Sequence, residues 1–403
     1  MRTVDDWAQW RGPKRDGHSQ ETGLLKEWKP AGPTLLWQLK DIGSGYSTPA
    51  VVGNTLYVLS NEGMESEFVR AYSVLNGKRL WSTRIGKVGN PDQQPSYPGA
   101  RSTPTVEGKR LYALGSDGDL VCLDTQTGKP LWKKSLRMDF EGKPGIWAYA
   151  ESPLVDGNKV IVAPGGASAT IIALEKTTGA LVWKSALPEG DAASYASAVV
   201  MEVGGVRQYV EFLSLGLVGV DAATGKLLWR YDKTRAKDYG VNAPTPIVSG
   251  DLIYSAAGAG GGVARIKASA GSYEVETLYN KLKVPNALGG SVKVGDYLYG
   301  NNDSAIFMCL EYASGRLVWD KRLPSGASVA YADGHFYLRG GDSTMALAEA
   351  TPAGYKEKGR FTPPALPPRG KPGAWAYPVI SQGRLYLREE NCLWTYDIRA
   401  KRP

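Results

Sequence analysis

Cysteine is scarce in this chain of 403 residues: Cys122, Cys309 and Cys392 lie far apart, with no adjacent Cys-Cys pair and no metal-type spacing. An odd number cannot close a full disulfide framework, so three buried free thiols are expected. Histidine is scarcer still. With only His18 and His335, a multi-histidine metal centre and a histidine-based triad are both close to excluded. No run of about 18 apolar residues is present to span a bilayer as a helix. The opening Met1 to Asp6 lacks the apolar core of a signal peptide, so the chain is expected to be either cytoplasmic or already trimmed of an export signal.

What is abundant points to one structural class. There are 49 Gly, 25 Pro, 12 Trp and 22 Tyr against 6 Phe and 6 Met, with 42% hydrophobic and 22% charged residues. That balance suits many short strands, many tight turns and aromatic spacers in a folded, all-β chain. The net charge of +8 comes from Lys and Arg scattered through turns, without the single basic run that nucleic-acid binding uses. A solvated surface and no nucleic-acid partner are the expectation.

The strongest signal is internal repetition. A glycine precedes a tryptophan by four residues in five copies: Gly77 and Trp81, Gly128 and Trp132, Gly179 and Trp183, Gly225 and Trp229, Gly315 and Trp319. An acidic residue stands just upstream in four of them, at Asp124, Glu175, Asp221 and Glu311. Successive tryptophans are 51, 51 and 46 residues apart, and the 90 residues from Trp229 to Trp319 require a degenerate copy between them. Before each acidic residue comes a second block: a small polar residue, often Pro, an apolar pair, a Gly turn and an apolar-Tyr strand. Pro49, Gly53 and Tyr57, then Pro104, Gly108 and Tyr112, then Pro246, Gly250 and Tyr254 illustrate it. Each block reads as a hairpin whose Gly supplies a positive-φ turn position, and the whole repeat reads as the four antiparallel strands of a propeller blade.

Blocks begin near Tyr46, Arg101, Ala150, Tyr195, Asn242, Leu288, Ala327 and Trp375, which predicts eight blades. The fifth ends degenerately at Leu278-Tyr279 and the seventh near Arg360-Phe361. The eighth reaches its acidic position at Asp397 with no fourth strand after it, while Leu35 to Trp37 is a Trp strand with no hairpin before it. The N-terminal strand is therefore expected to complete the last blade, so that the ring has no unpaired sheet edge. Residues 1–34 read as an irregular leader packed on the propeller and 35–403 as one eight-bladed propeller. Trp37, Trp81, Trp132, Trp183, Trp229 and Trp319 are assigned to docking between blades, where a flat ring buries its area while its N–H finds a carbonyl.

With the Asp-x-x-Thr-Gly-x-x-x-Trp repeats on the page, the chain resembles the PQQ-like, quinoprotein-type propeller superfamily from about residue 35 to the end. That superfamily includes PQQ-dependent alcohol dehydrogenases and the propeller lipoprotein of the outer-membrane β-barrel assembly machinery. The leader, with Trp7, Trp10, Arg11, Gly12, Pro13, Asp16 and Gly17, is similar to exported PQQ-like proteins of planctomycete type. The resemblance implies the fold and an exported or periplasmic location; fold does not carry activity with it. A quinoprotein dehydrogenase of this kind would hold PQQ on the axis between a Trp and a vicinal disulfide, with Ca²⁺ on carboxylate and amide ligands beside a catalytic Asp. The vicinal disulfide is missing here. Cys122 and Cys309 hold the same repeat position in blades on opposite sides of the ring and cannot approach to disulfide distance.

Functional expectations follow in order: a non-catalytic binding or scaffolding propeller of the bacterial envelope, then a PQQ- and Ca²⁺-dependent oxidoreductase, then a polysaccharide-active propeller. No resident cofactor or metal is expected. A monomer with an unidentified protein, peptide or glycan ligand is. The Gly-rich stretch from Ala257 to Gly262 reads as a blade loop, because no helix or Lys-Ser/Thr follows it. His335 reads as an exposed turn residue. Asp303, Asp342, Glu389 and Glu390 stand in hairpin loops where a cation is conceivable. The candidate site is the channel mouth, formed by residues just before the inner strands: Tyr46, Arg101, Trp147, Tyr149, Glu151, Tyr195, Asn242, Asn286, Trp375 and Tyr377. Arg101 and Glu151 are its expected polar anchors, and the phrase around Trp147 and Tyr149 recurs at Gly373 to Tyr377.

Overall fold

The computed structural model describes residues 6–89, 99–237, 241–258, 260–365 and 375–400. Among the described residues, thirty-two strands form eight separate four-stranded sheets, each antiparallel, arranged as the blades of a propeller. The first blade, for example, comprises Ala50–Val52, Thr55–Glu62, Ser66–Ser73 and Arg79–Gly86. The last combines Val379–Ser381, Arg384–Glu389 and Cys392–Asp397 with the N-terminal Thr34–Leu39 as its outer strand. Leu35 lies opposite Tyr396 and Trp37 opposite Thr395, so closure joins the two ends of the sequence. Helix is confined, among the described residues, to Leu136–Phe140.

The core lies between blades and not within them. One apolar cluster joins Tyr112, Leu120, Cys122 and Trp132 of the second blade to Val160, Val162 and Leu174 of the third. The repeat motif explains how neighbouring blades meet. Asp124 Oδ1 accepts the backbone N–H groups of Gln126 and Thr127 and the Thr127 hydroxyl; Asp221 does the same for Ala223 and Thr224. These bonds wind the tight turn and hold the Asp124 carboxyl below its ordinary range, the Thr127 hydroxyl contributing most. Gly128 follows with φ of 70°, a left-handed conformation that favours glycine. It has a second reason to lack a side chain: a Cβ there would come within 2.6 Å of the Trp81 ring from the preceding blade.

The indole N–H groups cross to the next blade. Trp37 donates to Val74 O, Trp81 to Thr125 O, Trp132 to Lys176 O, Trp183 to Ala222 O and Trp319 to Thr351 O, at 3.0–3.3 Å. Trp229 differs: it donates to Gln208 Oε1 of its own blade at 2.6 Å. The reason lies in the fifth blade, where a two-residue hairpin between Gly260–Ser269 and Ser272–Lys281 replaces the longer turn that supplies the carbonyl to Trp37, Trp81, Trp132, Trp183 and Trp319. In every blade the outer strand carries a β-bulge, the extra residues being Leu36, Leu80, Leu131, Val182, Leu228, Leu278, Val318 and Lys358; an aromatic residue follows it directly in seven blades, whereas in the seventh blade Gly359 follows, packed against Trp28, and Phe361 stands two residues further on. A bulge adds local twist and turns the outermost edge away from flat pairing with another sheet.

Four expectations need correction or detail. His335 is the first residue of strand His335–Gly340 and is buried, its Nδ1 3.0 Å from Asp333 O, because the Asp-Gly turn ends one residue earlier. Gly260, Gly261 and Gly262 belong to a strand and not a loop; a Cβ on Gly262 would meet Tyr279 O at 1.8 Å, so close packing of the neighbouring strand demands glycine. The basic residues are not all solvated, since Arg11, Arg15, Arg70, Arg339 and Arg388 are buried. Arg388 alone reaches Ser47 O, Leu59 O, Gly43 O and Ser44 O, strapping the last blade to the first. The three cysteines are free and buried.

Candidate functional site

The inner strands surround a central channel, and the leader occupies one end of it. Trp7 exchanges two backbone hydrogen bonds with Val51, Ala8 O accepts from Val106 N, and Ser19 N donates to Tyr331 O. Arg15 donates to Ser152 O, Pro153 O and Gln9 Oε1, and Arg11 to Ser291 O and Asp16 O. A segment that touches inner strands of the first, second, third, sixth and seventh blades lies across the axis. Gly17, with φ of 86°, is required there because a Cβ would sit 2.8 Å from both Arg11 Nη2 and Val292 Cγ1.

Beneath Arg15 lie two buried carboxyls. Glu151 Oε1 accepts from Ala163 N at 2.6 Å, and Glu211 is its neighbour, each carboxyl acting on the other. Burial pushes Glu151 up to about 7 and Glu211 well above its ordinary value; for Glu211 the neighbouring Glu151 adds to the rise. Desolvation likewise lowers Arg15 to about 10. Glu151 thus belongs to the leader end, with Arg15 as the cation acting on it, and forms no anchor pair with Arg101.

Toward the other end the channel opens into a cup of about 270 Å³. Six aromatic side chains line it in three contacting pairs. Tyr46 and Trp375 lie 5.3 Å apart between ring centroids, Trp147 and Tyr195 5.8 Å, and Trp10 and Tyr377 4.7 Å in an edge-on arrangement. Trp10 comes from the leader and donates its Nε1–H to Thr245 Oγ1 at 2.8 Å, which makes the leader the floor of the cup. Arg101 is the one charged residue among the described lining residues, and its guanidinium sits 5.2 Å from the Tyr46 ring centre. Leu288 and Ile146, 53% and 43% exposed, add apolar surface at and beside the rim.

Much of the polar lining is already engaged. Tyr195 Oη accepts from Trp147 N at 3.1 Å, Tyr377 Oη donates to Leu288 O at 2.7 Å, and Thr48 Oγ1 accepts from Tyr377 N at 3.1 Å. The last bond belongs to a series that explains the small polar residues before the inner strands: Thr103 N donates to Ser152 Oγ, and Ser152 N to Ser197 Oγ, both at 2.9 Å. Each hydroxyl ties one blade to the next around the channel.

Of the residues singled out from sequence, Tyr46, Arg101, Trp147, Tyr195, Trp375 and Tyr377 converge on the cup. Tyr149 and Asn242 do not. Tyr149 is buried with its hydroxyl donating to Pro164 O at 2.8 Å, and Asn242 accepts from Ala236 N while donating to Leu213 O. Asn286 lies in a neighbouring recess, its Nδ2 donating to Ala257 O and lying 3.4 Å from Asp303 Oδ2. Gly373 and Ala374 of the recurring phrase fall outside the described residues. Asp342 accepts from Thr344 and Ser325, and Glu389 from Arg339 and Ser343; both acids serve turns and blade contacts. Sequence missed Trp10 as a site residue, because nothing in the leader's irregular pattern shows which ring enters the channel.

Fold and axial cup together define the class: an eight-bladed propeller of PQQ-type repeats with an aromatic recess on its axis. Residues 65–321 match the family model described as outer membrane protein assembly factor BamB, and the chain belongs to that family. The BamB of Kangiella koreensis is 26% identical over 211 residues, covering 51% of this chain and 47% of that protein. A quinohemoprotein alcohol dehydrogenase from Comamonas testosteroni is 28% identical over 172 residues, or 40% of this chain and 23% of that one. The crystal structure of BamB from Moraxella catarrhalis superposes with a TM-score of 0.64 at 16% identity, covering 93% of this chain and all of that one, a likeness of fold. The matched stretches span 22–47% of the first three BamB relatives.

The alcohol dehydrogenase likeness implies PQQ with Ca²⁺, and the residues of the cup can be tested against that pair. PQQ carries three carboxylates, whereas the described lining offers one cation, and it contains no carboxylate for a metal. Among the described residues no group of three or more His, Cys, Asp or Glu is placed to hold a metal ion. Burying several anions beside one arginine leaves charge uncompensated, at a cost of several kcal/mol per ion. The described lining of the cup does not fit that cofactor pair. No helix of the described residues is long and apolar enough to cross a membrane.

Proposed function

We propose that this protein is a non-catalytic binding or scaffolding propeller of the bacterial cell envelope, exported or periplasmic, whose ligand-facing element is the aromatic cup. The observation that carries the reading is the cup itself: six aromatic rings and one arginine, no carboxylate or histidine in its described lining, and a floor sealed by the leader. Acid–base and metal chemistry need such groups; apolar recognition needs what is present. Membership of the BamB family and the BamB relatives support an envelope role. Oligosaccharide binding is less well supported, since Tyr195, Tyr377, Trp10 and Thr48 already spend polar atoms on the protein.

The test is genetic. Removal of the gene is expected to place the protein's loss in the envelope, read as raised permeability to a large hydrophobic antibiotic. The wild-type gene restores the barrier and a Trp147→Ala, Leu288→Asp double variant does not. An unaltered barrier after deletion, or recovery of the native protein in the cytosolic fraction, overturns the reading.

A further inference from the structure

The inner strand of each blade has one edge bonded to its own sheet and the other facing the axis. Val51, Val106, Val155 and Val248 are the middle residues of the three-residue inner strands of the first, second, third and fifth blades, in one shared register opposite Leu56, Leu111, Val160 and Ile253. Backbone hydrogen bonds alternate sides along an antiparallel strand, so the N–H and C=O of all four point to the channel. Val200 of the fourth blade, opposite Tyr209, stands three residues before the turn-flanking Val203 and has the same parity.

The leader satisfies such groups on one side of the ring. Trp7 takes both from Val51, Ala8 O accepts Val106 N, and Gly17 and Ser19 take both from Tyr331 of the seventh blade. Among the described residues, no hydrogen bond reaches the channel-facing N–H or C=O of Val155, Val200 or Val248. Packing follows the same division. Val51 and Val106 are fully buried, whereas Val155, Val200 and Val248 are half-buried and line a cleft of about 430 Å³ together with Pro13 and Lys14 of the leader. The outer strands are guarded by bulges, but these three inner strands pair in regular register, and an unpaired regular edge is a template for another chain.

The chemistry of that edge specifies its occupant. N–H and C=O groups complement an extended backbone, as the leader shows on the neighbouring blades. Charge does not select, because Arg207 is held by both carboxylate oxygens of Asp156 and Lys14 is offset in sign by Asp16 in the same lining. We propose that the cleft binds an extended peptide segment of a partner protein through backbone hydrogen bonds to Val155, Val200 and Val248, continuing over the third, fourth and fifth blades what the leader does on the first, second and seventh. The site is separate from the aromatic cup and does not rest on it.

The probe is a fluorescein-labelled, end-capped peptide of sequence Ser-Val-Thr-Val-Ser-Val-Thr, titrated into the full chain by anisotropy beside the same peptide N-methylated at every interior residue. The methylated peptide, stripped of its donors, is expected to bind at least about tenfold more weakly. Saturation with the unmodified peptide should slow amide exchange of Val155, Val200 and Val248, read by NMR, and leave the outer strands unchanged. Val200→Pro removes one inward N–H at a position where an edge strand tolerates proline, and should weaken the peptide; the exchange measurement on the unaltered protein decides if that variant does not fold. Equal affinity of the two peptides, binding without protection of the three valine amides, or no binding at millimolar concentration overturns the proposal. Such a failure leaves the envelope reading, tested at Trp147 and Leu288, standing.

Discussion

The two ends of the central channel are built from the same eight inner strands and serve opposite purposes. At the leader end, Arg11, Arg15, Trp7 and His18 are threaded among backbone carbonyls, and Glu151 and Glu211 lie buried beside Arg15. At the open end, six aromatic residues and Arg101 leave a recess, and Trp147, Tyr46, Tyr195 and Trp375 are only half-buried. The contrast teaches that repetition fixes the ring and the axis carries the individuality. A symmetric scaffold gains its asymmetry from one non-repetitive segment that fills one end and, through Trp10, shapes the other.

If this contrast holds, substitutions at the leader end cost stability, whereas those at the cup cost binding. The largest effect is expected from Arg15→Met. It removes the cation acting on Glu151 and Glu211 and frees the carbonyls of Ser152 and Pro153. Breaking a buried charge arrangement by removing one partner typically costs about 3–5 kcal/mol, which chemical denaturation should register. A loss under 1 kcal/mol would mean that the leader rests on the ring without holding it.

The next effect is a dependence on pH. Burial lifts the folded Glu67 carboxyl to about 7, above its ordinary 4.5, so the folded state holds its proton more tightly than the unfolded state. The stability this confers is fully present below about pH 4.5, declines as pH rises and is lost once pH passes 7, up to about 3 kcal/mol for one such group. Glu67→Gln should make the slope between pH 5 and 8 shallower in thermal unfolding, the raised carboxyls of Glu151 and Glu211 supplying the remainder. An unchanged slope would assign all of it to Glu151 and Glu211. The smallest effect on stability belongs to the cup: Trp147→Ala should cost about 1 kcal/mol or less, because its ring is half-buried and faces the recess. A loss of 3 kcal/mol would make Trp147 a packing residue and erase the distinction between the two ends.

The ring was legible in sequence because its rules repeat. Blade number, closure by Thr34–Leu39 and the positions of Trp81, Trp132 and Trp183 follow from a motif whose spacing has a mechanical cause in the acidic-Thr-Gly turn. The exceptional bond of Trp229 was not legible, since it depends on a turn missing from the following blade. The axis was legible only in part. Residues before inner strands were correctly sought near the channel, yet the chain turns at Gly145 to Ala148, where Ala148 N donates to Gly145 O and Ala148 has φ of 68°, so Trp147 reaches the cup while Tyr149 and Glu151 do not. Trp10 lies outside any repeat. The buried arginines were hidden because a guanidinium satisfied by carbonyls, as in Arg388, leaves no complementary charge pattern in the sequence.

Calorimetry of the purified protein with PQQ and Ca²⁺ decides most directly whether the open end is an apolar recognition cup or a redox centre. One arginine and no carboxylate in the described lining predict no submicromolar binding and no alcohol-dependent dye reduction, whereas a submicromolar Kd accompanied by substrate-dependent dye reduction would contradict the binding role.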